Sequence, residues 1–158
     1  MKKIDNIKFN KGESDRYMLM SILSYYARQI FDGDKRYEFR KSPIKQSELN
    51  KPIFIYSAKD DKAIIGTVKV KKILCGTIDQ IMKMTGYDKR KDGFEIVEYF
   101  KNSSKCYALE LYDIQKFSQP LMLKKLRSID PKLQLPQYFK YIYSKSPIYD
   151  ELVNYKNK

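Results

Sequence analysis

The sequence predicts an α+β domain built on a small, strongly curved sheet or barrel, with helices flanking the strands and inserted between them. Three observations carry this prediction. A helix-spaced segment is followed by strand-like runs of uneven length. The longest early run contains Gly66, where a strand can bulge or turn a barrel corner. Two helical segments then stand between the third run and the fourth, with no regular alternation of strand and helix.

Residues 1–16 read as a polar N-terminal arm, 17–143 as the domain, and 144–158 as a C-terminal tail with helical character. From Tyr17 to Phe31, the residues Leu19, Ile22, Leu23, Tyr26, Ala27 and Ile30 recur at helical spacing, with Ser14 or Asp15 as N-cap and Gly33 beyond the end. The strand-like runs are Lys35–Lys41, Pro52–Ser57, Ala63–Leu74 and Lys105–Phe117. Thr77 opens a helix with Gln80 at the reciprocal capping position and Gly86 after its end, and Asp92 with Glu95 opens another. The charged stretch Tyr87–Asp92 joins them as a loop. Ser118 is expected to cap a helix running through Leu126, with Pro120 in its first turn.

With 158 residues, 42% of them hydrophobic, the chain suits one folded domain. It contains no histidine, which removes Ser-His-Asp and Cys-His catalysis and every histidine-containing metal site. The two cysteines, Cys75 and Cys106, are far apart in sequence and lie in apolar stretches, so both are expected to be buried, reduced thiols. No metal or other cofactor is expected, and no glycine-rich phosphate loop occurs. No apolar run reaches the roughly 20 residues of a membrane helix, and no apolar stretch follows the N-terminal lysines. A cytoplasmic protein without membrane contact is the expectation. A formal net charge of +13 favours polyanionic partners, although a lysine-rich composition alone also produces such a charge.

The most informative stretch is Gly33-Asp34-Lys35-Arg36-Tyr37-Glu38-Phe39-Arg40. A helix ends on glycine and the next strand carries a cation, a carboxylate and a guanidinium fork within eight residues. Glu38 and Arg40 share a strand face by the period of two, whereas Lys35 falls on the opposite parity unless the turn re-aims it. Together they can line a pocket mouth for a planar or anionic ligand, or form an ion-paired pin for the strand.

This GxKxxExR pattern at a helix-to-strand junction resembles the signature of the ASCH domain, within the PUA-like superfamily. Gly33, Lys35, Glu38 and Arg40 meet every defined position. The context is similar too: Ile55-Tyr56-Ser57 at a strand end, Ile64, Ile65, Gly66, Val70 and Ile73 along the next strand, Tyr99-Phe100, and Pro136, Gln137 and Phe139. The resemblance implies a PUA-like β-barrel that binds RNA, a modified base or a nucleotide in a cleft holding the signature. Lys35, Glu38, Arg40, Tyr56, Ser57, Tyr107 and Glu110 are the candidate ligand-binding residues. It also implies an alternative, a metal-independent hydrolase acting on RNA or on acylated nucleosides, with Lys35 and Glu38 as catalytic candidates. In the deacylating branch a threonine follows the lysine by three residues, where this chain has Glu38. That branch also uses a later glutamate, for which Glu95, Glu98 and Glu110 stay open.

Two further readings bear on partners. The tyrosines accompanying the positive charge suit base stacking and favour nucleic acid or a nucleotide as partner, with RNA favoured by the resemblance and a protein partner left open. The Tyr-rich segment Tyr138–Tyr155 is either a protein-docking surface or a closing element packed on the sheet.

Overall fold

A computed structural model of the chain describes residues 15–156. In chain order the elements are β1 (Arg16–Leu23), α1 (Ser24–Phe31), β2 (Tyr37–Arg40), β3 (Ile53–Ala58), β4 (Ala63–Gly76), α2 (Ile78–Thr85), α3 (Gly93–Tyr99), β5 (Cys106–Met122), α4 (Leu123–Ile129), β6 (Phe139–Tyr143) and α5 (Tyr149–Lys156). The protein is α+β, as the sequence predicts. Its mixed six-stranded sheet is ordered β2-β5-β4-β3-β1-β6. Among the described residues β2 and β6 end the sheet, an arrangement compatible with the barrel-like fold expected. No helix among the described residues is long and apolar enough to cross a membrane.

The chain divides into two compact units, and the long strands β4 and β5 each contribute residues to both. The first unit takes the chain up to Asp34, then Lys51–Val68 and Asp113 onward. Here β1 pairs parallel with β3 and antiparallel with β6. A register shift lies between Ile55, paired with Gly66, and Tyr56, paired with Ile64, so the irregularity falls at Ile65, next to the Gly66 where a bulge or bend is expected. Leu19, Phe54, Tyr56, Ile64, Leu121, Leu126, Ile142, Ile148 and Leu152 form its core. The C-terminal tail therefore contributes buried residues, Ile148 and Leu152, and is helical over Tyr149–Lys156.

The second unit takes Lys35–Asn50 and Lys69–Tyr112. Here β2 pairs antiparallel with β5, and Phe39, Ile81, Met82, Tyr87, Ile96, Phe100, Cys106 and Ala108 form a separate core. Helix α2 begins as predicted: the Gln80 N–H donates to Thr77 Oγ1 at 3.2 Å, and the Thr77 N–H donates to Gln80 Oε1 at 2.9 Å.

Four local expectations are corrected. The segment 16–23 is a strand, with Met18–Ile22 buried on both faces between β3 and β6, and the helix begins only at Ser24. Its cap is not Ser14, which lies outside the described residues, nor Asp15. Asp92 makes no side-chain cap, because the Arg90 fork occupies its carboxylate at 2.8 and 2.9 Å. The strand β5 continues through Pro120 to Met122, so Ser118 opens no helix. Finally, Cys106 is buried but Cys75 is exposed; both are free thiols. The expected N-terminal arm lies almost wholly outside the described residues.

Candidate functional site

The signature begins with a helix stop. The Gly33 N–H donates to the Ile30 carbonyl at 3.2 Å and the Asp34 N–H to the Gln29 carbonyl at 2.9 Å, the two bonds of a Schellman closure. Gly33 sits at φ +87°, where a side chain is strained. The helix ends there, and Lys35 precedes the regular strand β2 rather than lying within it.

That placement resolves its parity. Lys35 Nζ lies 3.8 Å from Glu38 Oε1, and Arg40 Nε lies 3.6 Å from the same oxygen. Lys35 and Glu38 are 3% and 5% exposed, so this is a buried charge cluster rather than a surface pair. Glu38 Oε2 is buried and accepts no hydrogen bond from a described residue. Lys35 Nζ also stands 5.2 Å from the centre of the Phe39 ring. Burial pushes the Lys35 ammonium below the ordinary lysine range; Glu38 opposes this, Arg40 and Arg90 reinforce it, and Asp92 opposes it weakly. Lys35, Arg40, Arg90, Glu38 and Asp92 thus form a cluster of mixed charge around one buried lysine.

Register places the remaining candidates. Tyr107 stands opposite Arg40, and directly opposed residues share a face, so Tyr107 accompanies Glu38 and Arg40. Glu110 stands opposite Tyr37, on the other face, where its carboxylate pairs with Lys72 at 3.8 Å. Of the other glutamates, Glu98 is exposed, while Glu95 is near enough to Tyr87 to help raise its phenol.

Tyr56 and Ser57 belong to the first unit. Tyr56 is a buried core ring whose phenol is raised by that burial. Ser57 is completely buried, and its hydroxyl donates to Asp61 Oδ2 at 2.7 Å beside Ser24 Oγ at 2.9 Å. Ser24 in turn donates to the Ala58 carbonyl and accepts the Asp61 N–H, while Arg28 forks onto Asp61. These bonds tie the start of α1 to the end of β3.

Sequence reasoning missed Tyr87, Arg90 and Asp92. The loop that carries them packs on the same Phe39 ring as Lys35: Tyr87 meets it edge-on, with centroids 4.8 Å apart. Arg90 lies over the Tyr87 ring at 4.5 Å and is held by Asp92. Only the flanking glycines, Gly86 and Gly93, hinted at an ordered turn there.

The ASCH domain family profile matches residues 20–146, and the chain belongs to that family. It is 28% identical over 119 residues to a protein of Zymomonas mobilis described as an ASCH domain-containing ribonuclease, covering 75% of this chain and 79% of that one. The crystal structure of ASCH from Zymomonas mobilis superposes with a TM-score of 0.75 at 25% identity, covering 87% of this chain and 94% of that chain. A serine-to-alanine variant of the same Zymomonas protein gives a TM-score of 0.75 at 26% identity, over 90% and 98% of the two chains.

Proposed function

We infer that this ASCH protein binds RNA, and that the Lys35–Glu38–Arg40 cluster is where a nucleotide is held. The observation that carries the reading is the buried cluster in which Lys35 and Arg40 converge on Glu38 Oε1 while Glu38 Oε2 accepts no hydrogen bond from a described residue. A buried carboxylate oxygen without a donor costs stability, and a ligand that brings an N–H or O–H offsets that cost. Arg40 offers a planar fork, Glu38 accepts from an amine, and Tyr107 on the same face offers a ring for stacking. The ribonuclease description of the Zymomonas relative supports RNA as the nucleic acid. The basic charge of the chain supplies further, sequence-independent attraction.

The test is fluorescence anisotropy of labelled single-stranded RNA and duplex DNA across a salt series, for wild type and the Lys35→Ala/Glu38→Ala variant. Binding to RNA that persists at moderate salt and falls in the variant is expected. Binding that collapses with salt and ignores the variant would leave only a polyelectrolyte effect.

One observation favours a second reading, a metal-independent ribonuclease at the same cluster. Burial lowers the Lys35 ammonium's hold on its proton, the direction that a general base requires. Incubation of single-stranded RNA with excess protein, with Lys35→Ala as control, decides it. Cleavage that disappears in the variant supports catalysis, and intact RNA removes it.

A further inference from the structure

The segment between α2 and α3 is rigidly built around one residue. Gly86 ends α2 at φ +77° and a short 3₁₀ turn, Tyr87–Lys89, follows. A Cβ at Gly93 would collide with the Tyr87 carbonyl, so the start of α3 lies directly against that backbone. Tyr87 itself is 3% exposed, held edge-on against Phe39 and covered by the Asp92-bound Arg90. Packing of this kind accounts for the ring but not for the hydroxyl, which is buried and makes no hydrogen bond with a described residue.

A second atom shares this condition. Glu38 Oε2 is buried and makes no hydrogen bond with a described residue, and its carboxylate is linked to Tyr87 through shared neighbours: Lys35 Nζ, 3.8 Å from Glu38 Oε1, stands 5.2 Å from the centre of the Phe39 ring on which Tyr87 packs. The two atoms have complementary needs. A carboxylate oxygen only accepts, so whatever meets Glu38 Oε2 must bring an N–H or O–H. A protonated phenol donates, so whatever meets Tyr87 brings a lone pair. A backbone phosphodiester has acceptors only and would be repelled by Glu38. The edge of a nucleobase has a donor beside an acceptor.

We propose that Tyr87 is a specificity-determining residue of the ligand site, and that its hydroxyl and Glu38 Oε2 together hold the hydrogen-bonding edge of a base rather than a phosphate. This rests on the reading of the Lys35–Glu38–Arg40 cluster as the nucleotide site. It extends that site to a residue outside the family signature. It also divides the work: Tyr87 and Glu38 read the base, and the net positive charge of the chain attracts the backbone.

The experiment is displacement of labelled single-stranded RNA from the full-length protein at fixed ionic strength. The competitors are the four free ribonucleosides, ribose 5-phosphate and inorganic phosphate. Wild type is compared with Tyr87→Phe and Lys35→Ala, and each variant is checked by thermal unfolding. Tyr87→Phe keeps the ring, so it is expected to melt no lower than wild type, to bind RNA about tenfold more weakly, and to lose nucleoside competition. Nucleosides are expected to compete with wild type where both phosphates fail. If Lys35→Ala weakens binding and Tyr87→Phe does not, the role of Tyr87 is overturned and the cluster still stands. Phosphate competing as well as nucleosides overturns base recognition. If neither variant alters binding, or wild type binds no RNA, the reading of the cluster falls and this proposal with it. Should Tyr87→Phe fold poorly, the competition on wild type decides base against phosphate by itself.

Discussion

Lys35 Nζ and Arg40 Nε converge on one carboxylate oxygen, Glu38 Oε1, at 3.8 and 3.6 Å. Neither distance is a direct hydrogen bond, and the second oxygen, Glu38 Oε2, accepts none from a described residue. The energetics of the cluster can be separated residue by residue.

Replacing Glu38 leaves Lys35 and Arg40 without their shared counter-charge in a buried place. Glu38→Ala is expected to destabilise the fold by about 3–5 kcal/mol, the usual cost of removing one partner from a buried ion pair. Urea unfolding checks this; a loss below 1 kcal/mol would mean water reaches the cluster freely.

Lys35 makes the opposite prediction. Its folded pKa lies below the unfolded 10.5, so the unfolded chain binds more protons between those two values and stability rises with pH there. Below the folded value the cost of burying the charge is fully present. Lys35→Met is therefore expected to stabilise the protein at neutral pH while abolishing binding. The stability difference from wild type should shrink as pH climbs toward 10.5, read from unfolding curves at several pH values. A constant difference would show that packing, not charge, sets it.

Tyr87 adds a contribution of the other sign at higher pH. Burial pushes its phenol up to about 12, so the folded form holds its proton longer than the unfolded chain, whose phenol titrates at 10.0. Stability is lost as pH rises through that interval. Tyr87→Phe should flatten the alkaline limb of the unfolding profile between about pH 10 and 12, and an unchanged limb would count against a buried phenol.

Asp61 governs the acid side. Arg28, then Ser57 and Ser24, hold its carboxylate below the usual range. The stability this supplies is present above pH 3.8 and is lost as pH falls through the lower folded value. Asp61→Asn should lower the melting temperature at pH 7 and reduce its dependence on pH in that acid interval.

Two glycines separate strain from collision. Gly33→Ala keeps open space but forces a side chain into the left-handed region, at a cost of roughly 1–2 kcal/mol. Gly93→Ala drives a methyl into the Tyr87 carbonyl and is expected to cost more and to weaken RNA binding. Equal effects in thermal unfolding and anisotropy would argue that the turn at Tyr87 simply yields.

Much of this was legible in the sequence where local chemistry decides conformation. The Thr77–Gln80 box, the Gly33 stop and the alternation of β2 are properties of a few adjacent residues, and each is present. The segment 16–23 misled because Leu19, Ile22 and Leu23 fit a helical stripe, whereas burial on both faces between two partner strands fixes it as β1. A short apolar run does not distinguish those cases. Pro120 read as a helix start, yet it lies two residues from the end of β5. Within the site, Lys35, Glu38 and Arg40 were visible through their pattern and Glu38–Arg40 through strand parity. Tyr87 was not visible, because a ring in a charged loop shows its role only once Phe39 from a distant strand lies beside it.

The two thiols differ in a way that makes the native chain its own reporter. Cys75 is exposed, while Cys106 is enclosed and burial pushes its thiol up, which suppresses the reactive thiolate. A maleimide dye offered at neutral pH should therefore mark a single position without any engineered substitution. A probe fixed there sits on β4, in the same unit as Lys35 and Tyr87, and gives ligand binding an optical signal from unaltered protein.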